Sequence, residues 1–173
     1  MLPEVGLSLS HIMSERTYNA FFLCTGNSAR SQMAEALITA LSKGRIRGYS
    51  AGSHPSPAVQ PLAAELIASL GINPSSLRTK SWDEFAAPNA PVMDFIITVC
   101  DDAAGEVCPV WPGHPAMAHW GVPDPALTPD DRQAFKDVWL VLRRRIELLC
   151  ALRLDRLDHL AREQQLRLIA NER

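Results

Sequence analysis

One stretch constrains the fold more than any other: "YNAFFLCTGNSARSQMAEALITALSK", residues 18–43. Its first seven residues, 18–24, are short, apolar and aromatic, as in a buried strand. The run ends at Cys24, passes through Thr-Gly-Asn-Ser and meets Arg30, from which Met33, Ala36, Leu37, Ala40 and Leu41 recur at helical spacing. The helix is expected over 29–43, with Gly44 as its stop. A strand that turns directly into a helix is the first half of a right-handed β-α-β unit.

The rest of the chain continues the alternation. "RIRGYSAG" (45–52) reads as a second strand, and 56–71 as a helix opened by Ser56 and Pro57 and closed by Gly71, with Pro61 able to shift its start. "DFIITVC" (94–100) is a buried, β-branched strand. Residues 101–125 carry five prolines and read as a long loop, in which "AHWGV" (118–122) is expected as an edge strand. Thr128 caps the next helix, with Pro129 in its first turn and Asp131 completing a capping box; Phe135, Val138, Trp139, Leu142, Ile146 and Leu149 form its apolar stripe. Leu154, Leu157 and Leu160 suggest a further short helix that packs on the domain or dimerises. Strands alternating with helices imply a parallel sheet with helices on both faces, whose ligands bind beyond the carboxyl ends of the strands.

With 173 residues, 47% of them hydrophobic, the chain is sized for one domain with a substantial core. Residues 1–16 read as a partly disordered N-terminal extension and 17–173 as the domain proper, since "MSERTYNAFFLC" resembles a natural start followed by a strand. A net charge of −2 argues against nucleic acid as a partner, so any anion site must be local. No apolar run is long enough to span a bilayer, and the N-terminus lacks the basic region of a signal peptide, so no membrane partner is expected and a cytoplasmic location is. In a reducing compartment Cys24, Cys100, Cys108 and Cys150 are expected to be buried, metal-bound or catalytic rather than structural disulfides.

The spacing from Cys24 to Arg30 carries chemistry. With the cysteine at a strand end and the arginine in the first turn of a helix, residues 25–29 must curl and can point their amides inward. Such a nest, with the positive end of the helix, binds a tetrahedral oxyanion. Gly26 and Asn27 tolerate left-handed backbone, Arg30 can grip two oxygens at once, and Ser28 or Ser31 can donate to the sulfur. The same field is expected to lower the Cys24 pKa toward a thiolate. The plainer alternative is a buried cysteine before a glycine turn. Neither nucleotide-loop pattern, GxxxxGK[ST] or GxGxxG, is present.

"CTGNSARSQMAEA" resembles the signature loop of the low-molecular-weight protein tyrosine phosphatase superfamily, and most closely its arsenate reductases. "YSAGSHP", "IITVCDDA" and "HWGVPDP" follow in the expected order, so the resemblance runs from about Tyr18 to Cys150. It implies a three-layer α/β sandwich with a four-stranded parallel sheet, flavodoxin-like in topology. By resemblance, Cys24 is the nucleophile and Arg30 the anion clamp; Thr25, Gly26, Asn27, Ser28, Ala29 and Ser31 complete the anion loop, with Asn27 and Ser31 holding it. Asp124 matches the Asp-Pro acid. The backbone before Pro125 should be extended, which would let that carboxyl reach toward the anion, although a simple Asp-Pro turn reads the same way.

Two activities share the first step, sulfur attack on an oxyanion. Hydrolysis of a phosphocysteine makes a phosphatase; attack by a second thiol makes a reductase. Cys100 at a strand end and Cys108 eight positions later match the cysteines of arsenate reductases coupled to thioredoxin. That implies a relay through Cys24, Cys100 and Cys108, no tightly bound cofactor, and an external reductant: thioredoxin, or glutaredoxin with glutathione. Ala126 stands where phosphatases place an aromatic wall for phosphotyrosine. The alternatives are a phosphatase with structural or regulatory cysteines, and a non-enzymatic oxyanion sensor. Zinc bound by Cys100, Cys108, His114 and His119 is disfavoured by the wide cysteine spacing. Cys150 belongs to a core stripe, and His54 to a loop. Glu35 and Ser50 match positions where some relatives organise a potassium ion around the loop asparagine, but a third carboxylate is replaced near Ser81, so that site is left unassigned and no metal is expected.

Overall fold

The computed structural model describes residues 16–105 and 111–173; the expected N-terminal extension, up to residue 15, and Cys108 lie outside the described residues. Four parallel strands, β1 (Tyr18–Cys24), β2 (Ile46–Gly52), β3 (Phe95–Thr98) and β4 (Ala116–His119), form one sheet in the order β2-β1-β3-β4. Leu23 pairs with Ala51 on one side and Thr98 on the other, so β1 is central and Cys24 emerges where the strand order changes direction.

Apart from Asn19 near its start, strand β1 is apolar because both faces are covered. Tyr18, Ala20 and Phe22 join the larger core cluster, while Phe21 and Leu23 join a smaller one with Trp82, Ile96 and Trp111. The larger cluster is roofed by α1 (Arg30–Leu41), α2 (Pro61–Ala68), α4 (Arg132–Cys150) and α5 (His159–Ile169). The opposite layer is thinner than simple alternation suggests. A 3₁₀ turn over Trp82–Phe85 and an aromatic group of Phe21, Tyr49, Phe85 and Trp111 cover it. The result is an α/β sandwich of three layers.

Three regions differ from the sequence reading, each for a reason visible in the hydrogen bonds. Helix α2 starts at Pro61 rather than Ser56, because the amides of Ser56 and Gln60 donate instead to the carbonyls of Gly26 and Ser28. Helix α4 starts at Arg132, since Asp131, not Thr128, accepts the amides of Gln133 and Ala134; Thr128 closes a 3₁₀ turn over Pro125–Leu127. The proline-rich stretch contains a short helix, α3 (Asp101–Gly105), and its edge strand is "AMAH" rather than "AHWGV". Trp120 leaves the strand for the core, where its Nε1 donates to the Leu166 carbonyl at 2.8 Å. The tail folds back as α5, capped by Asp158 through the Ala161 amide, and buries Leu166 and Ile169 within the same chain. Half-buried Cys150 packs against the same core.

Leu142 is fully buried on the inner face of α4. Truncation to Ala leaves a cavity under the helix layer and is expected to cost about 2–5 kcal/mol, read from urea unfolding midpoints at constant m-value.

Candidate active site

The loop after β1 is shaped by Asn27, whose φ is 51° and whose side chain is fully buried. Its Nδ2 donates to the hydroxyls of Ser31 (2.8 Å) and Ser50 (3.0 Å). Its Oδ1 accepts from Gln32 Nε2 (3.0 Å) and from the Lys80 amide (3.1 Å). Residues from α1, β2 and the segment after α2 thus converge on one amide. The Asn27 amide points at Cys24 Sγ at 3.0 Å, and the Ser31 hydroxyl lies 2.8 Å from the same sulfur. Of the two serines weighed from sequence, Ser31 is the one that reaches it.

Gly26 departs from expectation: it is not among the residues with positive φ. Its lack of a side chain serves close approach, since a Cβ there would lie 2.7 Å from Ser56 Oγ. Gly52, which the sequence reading passed over, matters more. A Cβ at Gly52 would sit 2.3 Å from the Thr25 carbonyl oxygen and 3.1 Å from the Asn27 nitrogen. Exposed His54 ties in through its backbone, donating to that same carbonyl at 2.9 Å.

Arg30 leads α1 and reaches the loop before the 3₁₀ turn. Its Nη1 donates to the Val122 carbonyl at 3.2 Å, and its Nη2 lies 3.4 Å from Asp124 Oδ2. The backbone at Asp124 is extended (φ −83°, ψ 106°), as the following proline requires, and its Oδ1 caps the turn through the Ala126 amide. Buried Ala29 precedes α1 without a side-chain cap.

Cys100 lies two residues beyond β3, fully buried beside the first turn of α3, where its sulfur accepts the Ala103 amide at 3.3 Å and lies 3.7 Å from Thr25 Oγ1. Neighbouring strands are about 4.8 Å apart, so the ends of β1 and β3 hold the two cysteines on one rim of the sheet. His119, one of the zinc candidates, has both ring nitrogens engaged, by Thr98 Oγ1 (2.8 Å) and Asp101 Oδ1 (2.7 Å). Among the described residues no three metal-ligating side chains cluster.

The electrostatics correct one expectation. Burial is the largest influence on Cys24 and pushes its thiol up; nearby Cys100 acts the same way, against the hydrogen bonds of Ser31 and the Asn27 amide. The sequence reading counted the positive loop but not the desolvation of a sulfur that is 3% exposed. Behind the loop, burial pushes Glu35 up and Lys80 down, each opposed mainly by the other's charge. The Lys80 ammonium donates to Ser50 Oγ at 3.4 Å and to the Arg78 carbonyl at 3.3 Å. An ammonium therefore stands beside Glu35 and Ser50, the pair that the resemblance associates with a cation. Nothing in the local pattern "RTKSW" marks Lys80; only the fold brings it there.

A cysteine and an arginine six residues apart, at a strand end of a parallel sheet and joined by a loop locked on a left-handed asparagine, define a cysteine-dependent, oxyanion-binding class of protein. Comparison with known proteins makes this specific. The family model for the low molecular weight phosphotyrosine protein phosphatase matches residues 19–165. The arsenate reductase of Bacillus subtilis is 37% identical over 118 residues, covering 66% of this chain and 81% of that protein. Among solved structures, an arsenate reductase in its phosphate-binding state superposes with a TM-score of 0.65 at 29% identity, over 78% of this chain and 98% of that one. The arsenate reductase of Archaeoglobus fulgidus does so with a TM-score of 0.60 at 28% identity, over 77% and 99%. The chain belongs to the low-molecular-weight phosphotyrosine phosphatase family, within its arsenate reductase branch, and is an enzyme.

Two measurements follow from this geometry. Gly52→Ala should leave the circular dichroism spectrum intact while displacing the Thr25 carbonyl, and weaken phosphate binding by about tenfold or more in calorimetry. With no oxyanion present, Cys24 alkylation by iodoacetamide should be slow at neutral pH and still rise above the ordinary thiol pKa of about 8.5; a plateau reached by about pH 7 would show that the loop field outweighs burial.

Proposed function

We propose that this enzyme reduces arsenate to arsenite through Cys24, Cys100 and Cys108, with electrons from an external thiol system. The observation that carries the reading is a second buried cysteine, Cys100, on the same sheet rim as Cys24 and in contact with Thr25. A hydrolytic enzyme has no need of a thiol there.

Amides of residues 25–30 and the Arg30 guanidinium hold the oxyanion. The Cys24 proton passes to an oxygen of the arsenate dianion, so a thiol that burial keeps protonated becomes a nucleophile only once its substrate is bound. The thiolate attacks arsenic, and Asp124, held beside Arg30, protonates the departing oxygen, which leaves as water. Cys100 then attacks Cys24 sulfur, its proton passing to an oxygen of the departing arsenite. The new S–S bond takes the place of the S–As bond, whose electron pair stays on arsenic, and arsenite leaves. Cys108 attacks Cys100 and frees Cys24, and an external dithiol, thioredoxin or glutaredoxin with glutathione, reduces the Cys100–Cys108 disulfide. Ala126 and highly exposed Leu127 give the acid loop no aromatic wall, which suits a small inorganic oxyanion.

Phosphate monoester hydrolysis is the second reading, supported by the shared first step and by Asp124 placed at the anion clamp. It requires water rather than Cys100 to attack the Cys24 adduct.

Cys24→Ser should abolish both arsenate reduction and phosphatase turnover. Cys108→Ser should release one arsenite per enzyme and then stop, when followed by arsenate-dependent NADPH oxidation with thioredoxin and thioredoxin reductase. Wild-type steady-state rates in Cys108→Ser would remove the three-cysteine relay and leave a reductase whose Cys24–Cys100 disulfide is opened directly by the external thiol.

A further inference from the structure

Arg145 lies on α4 and is only 5% exposed. Its Nε donates to the Glu172 carbonyl at 2.9 Å, and its Nη1 to the carbonyls of Trp120 and Gly121 at 3.0 and 3.4 Å. All three acceptors are dipoles without net charge. Among the described residues no carboxylate comes within ion-pair distance of this guanidinium, and no protein acceptor meets its Nη2. Burying a charge without a counter-charge is costly. Burial lowers the Arg145 pKa, and the nearby charge of Arg173 adds to the effect.

Arg145 and Arg173 both border a cavity of about 690 Å³. That volume falls among small-molecule sites, which run from about 300 to 1,000 Å³. Val122, Pro123, Val138, Val141 and Ala170 supply apolar wall, and Asp124 and Asp137 are also on it. Ala170, Asn171 and Arg173 lie past the span that the family model matches, so the segment that follows α5 completes the cavity. The acid loop is a shared wall: Val122 lines the cavity while its carbonyl accepts from Arg30.

We propose that this cavity is a second binding site, distinct from the Cys24 loop, for an organic monoanion whose carboxylate is clamped by Arg145 and Arg173 and whose apolar body lies against the acid loop and α4. A carboxylate matches the planar guanidinium fork. The two aspartates on the wall select against doubly charged ions such as phosphate, and the apolar lining selects for a hydrocarbon body. The site goes beyond the redox reading and stands or falls independently of it.

The test uses the full chain, labelled with ¹⁵N, with inorganic phosphate saturating the Cys24 loop and 2-naphthoate as the probe. Saturable shifts are expected at the amides of Gly121, Val138 and Ala170, with Gly26 and Asn27 unmoved. Exposed Arg173 can be changed without disturbing the core, and Arg173→Gln should weaken binding about tenfold or more. The uncharged analogue 2-naphthylmethanol should bind at least about tenfold more weakly than the acid. Absence of saturable shifts at about 10 mM probe would overturn the site, since that lies beyond the weakest useful affinity. Equal binding of the alcohol, or unchanged affinity in Arg173→Gln, would overturn the arginine clamp and leave Arg145 as a tether for carbonyls.

Discussion

The amide of Asn27 is the interaction on which the rest of the site depends. A non-glycine residue in the left-handed region is disfavoured, and asparagine is among the few that tolerate it. Here the conformation is held by four side-chain hydrogen bonds that come from three separate parts of the chain. Each partner is itself placed by the fold: Ser31 by the first turn of α1, Ser50 by β2, and the Lys80 amide by the segment that bridges back to Gly52. The loop is thus the point at which strand pairing, helix position and backbone chirality must all agree. A buried polar network of this kind specifies one geometry because each broken bond strands a desolvated group.

How much of this was legible in the sequence depends on the range of the interactions involved. Strand β1, helix α1 and the apolar stripe of α4 follow from periodicities within a few residues, and they form where expected. The start of α2 is ambiguous in sequence, where Ser56 and Pro57 make a sound local helix opening and Pro61 can shift it. What decides it is non-local: the amides at 56 and 60 are already spent on the Cys24 loop. Trp120 looks like a strand residue until α5 supplies the Leu166 carbonyl for its indole. Lys80 and Gly52 carried no local signal, since an ammonium among polar neighbours and a glycine at a strand end are ordinary until the loop is folded against them. The glycine at 26 was rightly noticed for the wrong reason. Motif reasoning assigns glycines to turns, whereas a side chain here would first have to displace the Ser56 hydroxyl.

The thiol of Cys24 shows how two correct arguments can point in opposite directions. Amides and a helix end do favour an anion at this position, and the Asn27 and Ser31 contacts lower the thiol pKa as that argument requires. But a loop tight enough to aim those donors also excludes water from the sulfur, and desolvation then exceeds their sum. The closeness of Cys100, the proposed second nucleophile, also works against charging Cys24 first. Under the proposed chemistry this opposition is useful. A neutral thiol resists adventitious oxidation and alkylation, and the substrate, arriving with its own basic oxygens, removes the proton where and when it is needed.

Asp124, the proposed acid, is positioned by helices rather than by its own loop. Residues 120–124 form no regular element, yet the carbonyls of Trp120, Gly121 and Val122 are all held by arginines. Arg145 comes from α4 and Arg30 from α1, two helices that pack against each other over the same face of the sheet. The separation between Asp124 and the Cys24 loop is therefore set largely by the spacing of that helix pair, and β4 contributes only the point from which the loop departs. Arg30 has a double duty in this arrangement, since one guanidinium both pins Val122 and faces the Asp124 carboxylate. Under the proposed chemistry, an oxyanion gripped by Arg30 would lie beside the carboxyl that protonates its leaving oxygen, because one guanidinium meets both the loop backbone and Asp124.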